Sequence, residues 1–409
     1  MITGTVGGFS GLSASTQEQH MAPQNPHRPG RNFTSRTPPA VPPIYLSTTF
    51  ELDDASYADI QGTGGLHETW YSRFNNPTVD AAGAEVARLH QAAGSMMTSS
   101  GMAAIATTLL TLLRSGDTLV ASRQVYGDTD DLLVRDLPAL GINVIRVDAF
   151  DTAEWERAVA EHQPTVLYGE TLSNPQLRLL NIPAVAALAR SVGARLVIDN
   201  TFATPFCTRP LQLGADVVVE SATKFLAGHS DVIAGAVTFD DLELGEEIQR
   251  RLITFGGCLD AHAAFLAWRG MRTFGVRLTE SCRSAAAIAE VMANEPGIVH
   301  VRHPGRADHP DAGALVDAVM SDARGGMLGL VLEGGDERAL QVLRRLQVAL
   351  EATSLGGVET LASVPFNSSH FNMSQQQRRD AGIPDGLIRI SIGLEGSEAL
   401  VADLRQAMA

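Results

Sequence analysis

The sequence predicts an α/β protein: a large, mostly parallel sheet, then a smaller α+β unit, with an extended arm in front. Three observations lead there. Short β-rich runs alternate with helical patterns between about residues 118 and 220. Beyond about 275, long helical stretches alternate with isolated strand candidates. The first 42 residues are rich in Gly, Ser, Thr, Pro and Gln and show no period.

The arm comes first. A stretch such as HRPGRNFTSRTPPAVPP offers neither an apolar face nor a regular spacing, so it reads as extended or flexible chain. The partition that follows is an arm over 1–75, an α/β domain over 76–275 and a C-terminal α+β domain over 276–409. In the middle domain, TLVAS (118–122), INVIRV (142–147), TVLYGET (165–171), ARLVID (194–199) and DVVVE (216–220) read as strands. Helical patterns such as IPAVAALARSVG (182–193) lie between them. Alternating strand and helix implies a sheet covered on both faces. Ligands of such sheets sit beyond the carboxyl ends of the strands. That places Tyr126, Glu170, Asp199 and the run Ser221 to Lys224 along one edge. In the last domain TESCRSAAAIAEVMA is helical, and GMLGLVLEG and LIRISIGLE are strand candidates.

Composition narrows the classes. The chain has 409 residues, 44% hydrophobic and 19% charged, as in soluble globular proteins. A net charge of −15 argues against a nucleic-acid partner. No apolar run reaches the roughly 18 residues of a membrane span. Cys207, Cys258 and Cys282 are widely spaced with no CxxC pair, so neither a metal site nor a disulfide framework is expected. A cytoplasmic location is the expectation.

Lys224 is the only lysine in a chain that carries 31 Lys and Arg residues. A guanidinium stays protonated, whereas an ε-amine can lose its proton when buried and attack a carbonyl carbon. Ser221 and Thr223 precede it at the end of a strand, where hydroxyls and amides can bind an anion. Ser99-Ser100-Gly101-Met102 opens the helical run AAIATTLLTLL, a second place for a phosphate. Taken alone, Ser100 is an ordinary helix cap, Asp199 an Asx turn and Tyr126 a packing residue. Together with a privileged lysine they suggest a phosphorylated aldehyde, pyridoxal 5′-phosphate. Asp199 then faces the ring nitrogen and Tyr126 stacks on the ring.

These residues carry a resemblance. The run VIDNTFATPFCTRPLQLGADVVVESATKFLAGHSDVIAGAV (197–237) resembles the Cys/Met-metabolism PLP-dependent enzymes. VPPIYLSTTF (41–50), YSRFNNPT (71–78), SSGMAAI (99–105), ETLSNPQLRLLNI (170–182), SLGGVETLAS (354–363) and GLIRISIGLE (386–395) follow in the family's order. The resemblance implies fold type I of the PLP-dependent transferases. It implies that Lys224 joins the coenzyme aldehyde and later moves protons, with Asp199 on the ring nitrogen and Tyr126 on the ring. It assigns Gly101, Met102, Ser221 and Thr223 to the phosphate, and Tyr71 and Arg73 to the phosphate of a neighbouring subunit. It assigns Asn174, Ser354 and Arg389 to the substrate carboxylate. It further implies a homotetramer whose active sites are shared across a dimer, acting on a small amino acid, with no membrane or nucleic-acid partner.

The implied chemistry is elimination or replacement at the γ or β carbon of a sulfur- or oxygen-substituted amino acid, closest to cystathionine γ-lyase or γ-synthase. Methionine γ-lyase, cystathionine β-lyase and O-acylhomoserine sulfhydrylase activities are alternatives, and a non-catalytic PLP-binding regulatory module is an alternative of another class. Four positions depart from the family pattern: Asp128 where methionine γ-lyases carry cysteine, Thr353 where cystathionine γ-lyase and γ-synthase carry glutamate, Val364-Pro365 for HP, and Val79 for the arginine of NPTR. A nicotinamide dehydrogenase is disfavoured, because no GxGxxG lies between an early strand and helix.

Overall fold

The computed structural model describes residues 39–368 and 373–409. Residues 1–38 of the expected arm therefore lie outside the described residues. Its described part is not extended throughout, because Asp54–Thr63 form a helix. Asp53 caps that helix by accepting from the Ser56 amide at 2.9 Å, and Gly64 ends it at φ 81°. Both signals stand in the sequence, in DDASYADIQGTGG.

The first sheet holds β1 (Gly94–Thr98), β2 (Thr118–Ser122), β3 (Asn143–Val147), β4 (Val166–Glu170), β5 (Arg195–Asp199), β6 (Val217–Glu220) and β7 (Gly235–Phe239). Their order is β1-β7-β6-β5-β4-β2-β3. The pairs from β3 through β6 are parallel, and β7 and β1 join antiparallel at one edge. Every residue of β4, β6 and β7 is buried, as a sheet covered on both faces requires.

The two faces separate by strand period. Leu167, Leu196 and Ile198 point to a core that includes Trp155, Ile182 and Val185. Val166, Tyr168, Val197 and Val219 point the other way, to Ile105, Leu109 and Leu133. The helix Ile182–Val192 lies where its pattern predicts, capped by Asn181 and stopped by Gly193.

The second sheet holds β8 (Ile298–Arg302), β9 (Met327–Leu332), β10 (Leu350–Glu351), β11 (Leu361–Ser363) and β12 (Leu387–Ser391), in the order β10-β11-β12-β9-β8. Helices Phe274–Met292 and Ser397–Met408 cover it through Ile288, Met292, Leu400 and Leu404. The boundary expected after residue 275 falls in the first turn of Phe274–Met292. That helix joins the two units: Phe274, Leu278 and Cys282 pack in the first core, and Ala285 to Met292 in the second. Among the described residues no helix is long and apolar enough to cross a membrane.

Candidate active site

The carboxyl ends of β4, β5 and β6 open onto a cavity of about 490 Å³, a size suited to a small ligand. It is lined by Lys224, Asp199, Tyr126, Gly101, Met102, Ser221, Thr223, Asn174, Ser354 and Arg389. Ten of the twelve residues singled out by motif thus meet in one place. Tyr71 and Arg73 do not line it. Arg73 instead lines a separate cavity of about 810 Å³ and donates to the Ile253 carbonyl at 2.9 Å.

Lys224 sits in the turn after β6. Its amide donates to the Ser221 carbonyl at 3.1 Å, and its carbonyl accepts from the Gly228 amide at 2.8 Å. The buried Arg277 guanidinium pins this turn, donating to the carbonyls of Phe225 (2.9 Å), Leu226 (3.1 Å) and Gly270 (3.0 Å). Gly228 has φ 70°, and any Cβ there would collide with Arg277. Sequence reasoning missed Arg277, because an arginine in a helical run carries no local mark. Burial, and then the Arg389 charge, push the Lys224 amine below its ordinary range.

The helix Gly101–Leu112 points its N-terminus into the cavity. Ser100 caps it by accepting from the Ala103 amide at 3.1 Å, which leaves the amides of Gly101 and Met102 as the first-turn donors. A Cβ at Gly101 would lie 2.8 Å from Ser221 Cβ, so only glycine permits this approach. Thr223 donates its hydroxyl proton to the Ala234 carbonyl at 3.0 Å and accepts from the Ala234 amide at 2.9 Å, so its proton is spent within the protein.

Carboxylates end three adjacent strands. Asp199 accepts from the Thr201 amide at 2.8 Å. Burial pushes its carboxyl up to about 6, and Glu220 adds to the rise while the Thr201 hydrogen bonds oppose it. Glu170 accepts from the Tyr126 amide at 2.6 Å, and burial next to Asp199 holds it well above the usual carboxylate range. Glu220 faces away from the cavity and meets His90 Nε2 at 2.7 Å in a fully buried pair. The sequence placed Glu170 on the shared edge; its grip on the Tyr126 backbone, which aims the ring into the cavity, emerges only in the fold.

The second unit closes the cavity. Arg389 on β12 is buried, and donates to Asn174 Oδ1 (3.1 Å), the Ser354 carbonyl (3.0 Å) and Ser363 Oγ (3.2 Å). Lys224 Nζ donates to Ser354 Oγ at 2.7 Å. Thr353, one of the four positions that depart from the family pattern, also lines the wall, with Leu355, Phe202 and Ile233; these last three carried no chemical signal that isolated them in the sequence.

These residues fit pyridoxal 5′-phosphate. An amine with a depressed pKa, a glycine-gated helix N-terminus beside a serine hydroxyl, a buried carboxylate and a half-buried tyrosine share one cavity of suitable size.

Comparison with known proteins agrees. The family model for the Cys/Met metabolism PLP-dependent enzymes matches residues 27–409. The L-methionine gamma-lyase of Pseudomonas deceptionensis is 37% identical over 381 residues, 93% of this chain and 95% of the relative. The cystathionine gamma-lyase of Bacillus subtilis is 38% identical over 367 residues, 90% of this chain and 93% of the relative. The crystal structure of cystathionine gamma synthase from Xanthomonas oryzae pv. oryzae in complex with aminoacrylate and cysteine superposes with a TM-score of 0.86 at 36% identity, covering 94% of this chain and 96% of that one. The chain therefore belongs to the Cys/Met metabolism PLP-dependent enzymes, and pyridoxal 5′-phosphate is its cofactor.

Proposed function

We propose that the protein eliminates or replaces the γ (or β) substituent of a sulfur- or oxygen-substituted amino acid, with C–S chemistry of the cystathionine γ-lyase and γ-synthase kind. The observation that carries this reading is the meeting of Lys224, Asp199 and Arg389 in one cavity although they come from two sheets.

Bound pyridoxal 5′-phosphate supplies an electron sink for the bond broken at Cα. The protein supplies the rest. Gly101, Met102 and Ser221 hold the phosphate, Asp199 the ring nitrogen, and Tyr126 the ring face. Arg389 takes the substrate carboxylate in its planar fork, oriented by Asn174 and Ser363. Lys224 Nζ is placed to take the Cα proton and return it, because burial favours its neutral form. The Tyr126 phenol, pushed up to about 12 chiefly by burial, keeps its proton at neutral pH and can give it to the departing group. In an elimination water releases a 2-oxoacid and ammonia; in a replacement a second nucleophile adds at the carbon that the leaving group has left.

The active site is completed across subunits of a homotetramer in this reading. Its support is that Tyr71 and Arg73 stand outside their own chain's cavity. The working compartment is the cytoplasm, in keeping with three unpaired cysteines. The test is incubation with L-cystathionine, L-methionine, O-acetylhomoserine and O-succinylhomoserine. Release of 2-oxobutanoate marks γ cleavage and pyruvate marks β cleavage. Silence on all four, with no spectral change of the bound coenzyme, would return the non-catalytic regulatory module.

A further inference from the structure

Asp128 stands two residues after Tyr126, where the resemblance places a cysteine in methionine γ-lyases, and the fold gives it a partner. Tyr126 Oη donates to Asp128 Oδ2 at 2.9 Å. The backbone holds both ends of this contact. The Tyr126 amide is tied to Glu170 on β4, and Tyr126 and Asp128 flank Gly127 at the start of the helical turn Gly127–Asp131. The ring cannot turn freely, and the phenolic proton is directed at a carboxylate.

Four charged or titratable groups face the phenol or its backbone: Asp128 from its own turn, Arg389 from β12, Glu170 from β4, and Lys224 across the cavity. Arg389 favours the phenolate. Burial and the hydrogen-bonded Asp128 oppose it and prevail.

We propose that Asp128 is a positioning residue that keeps the Tyr126 phenol protonated in the resting site, so that Tyr126, once its O–H turns from Asp128 to the departing group, serves as a proton donor and not as a base. The proposal rests on the reading that Tyr126 works inside this site. It has a consequence for substrate choice. A leaving group that needs a proton as it departs, such as an alkyl thiolate, gains from a committed donor, whereas a carboxylate-ester leaving group, already a weak base, gains little.

The test uses the holoenzyme as wild type, Asp128→Asn, Asp128→Ala and Tyr126→Phe. Ultraviolet phenolate titration, with Tyr126→Phe subtracted, isolates the Tyr126 phenol. In the wild type it stays un-ionised through pH 10, where a free phenol titrates. In Asp128→Ala its midpoint falls by about one pH unit or more, with Asp128→Asn between. The alkaline limb of kcat moves down with it, and the loss of rate is larger for a thioether substrate than for an O-acyl one. A Tyr126 midpoint unmoved in both Asp128 variants would overturn the proposal. Full activity of Tyr126→Phe would instead overturn the role of Tyr126 in the site, while the titration would still report whether Asp128 governs the phenol.

Discussion

The Lys224 amine and the Ser354 hydroxyl meet at 2.7 Å across 130 residues of sequence, one from the edge of the first sheet and one from the second unit. Ser354 reaches that point from a left-handed backbone at φ 78°, an uncommon conformation for a residue other than glycine. The site is therefore complete only when the two units are docked.

Ser354→Ala keeps that backbone and removes the hydrogen-bond acceptor. Turnover should fall roughly five- to tenfold, as expected for one net hydrogen bond, with the coenzyme still bound. Steady-state kinetics beside the visible spectrum measure both. Unchanged kcat would show that the contact is incidental.

Lys224→Arg keeps a cation and removes the nucleophile. Loss of at least about 10²–10⁴-fold in rate is expected. Borohydride reduction of the wild-type holoenzyme followed by peptide mapping should place the coenzyme label on Lys224, unambiguously because the chain holds no second lysine. An unlabelled Lys224 peptide contradicts the assignment of this cavity.

Arg389→Lys replaces a planar fork by a point charge in a pocket shaped by Asn174, Ser354 and Ser363. KM should rise about tenfold or more, while coenzyme affinity stays near wild type. If KM holds and coenzyme affinity drops instead, Arg389 serves the cofactor and not the substrate.

Gly101→Ala brings a Cβ to 2.8 Å from Ser221 Cβ and crowds the anion cradle. The apoprotein should then bind pyridoxal 5′-phosphate about tenfold more weakly, read by fluorescence or absorbance titration, with its thermal midpoint lowered by a few degrees from the overpacking. Wild-type affinity would move the phosphate site elsewhere.

Asp199 sets a pH dependence. Burial first, and Glu220 second, raise its folded pKa from 3.8 to about 6. A raised folded pKa means the folded state binds a proton that the unfolded state has released. The resulting stabilisation is full below about 3.8 and is lost as pH rises through about 6. The apoprotein should thus lose stability from this group between those values. Above about 6 the ionised carboxylate is the form that pairs with a cationic ring nitrogen, so coenzyme binding should tighten over the same range. Isothermal titration of the apoprotein with pyridoxal 5′-phosphate from pH 5 to 8 checks this against Asp199→Asn, which should bind weakly with a flatter profile. Parallel pH profiles for the two proteins would remove Asp199 from the ring nitrogen.

Much of the first sheet was legible locally. TLVAS, ARLVID and DVVVE are continuous apolar runs bounded by turn residues, and they fold as β2, β5 and β6. β1 and β7 were not: GSMMT and GAVTF open on glycine and show no clean alternation, and β7 joins antiparallel between β6 and β1. The helix Asp54–Thr63 was hidden for a different reason: its apolar residues trace no strong face, and only its cap and stop mark it.

The amino-acid sequence by itself singled out the amine at Lys224 and the strand-like runs around it. A single amine in an arginine-rich chain, hydroxyls beside it and an acid closing the neighbouring strand are properties of side chains and of short windows. Tertiary structure alone decided which of these act together. The Glu170 contact that aims Tyr126, the Arg277 clamp on the Lys224 turn and the Ser354 hydroxyl on the amine span 44, 52 and 130 residues of chain. No local period or propensity encodes such contacts. The first two come from packing within the first unit, and the third exists because burying two apolar cores on the shared helix Phe274–Met292 brings the second unit against the ends of the first sheet's strands.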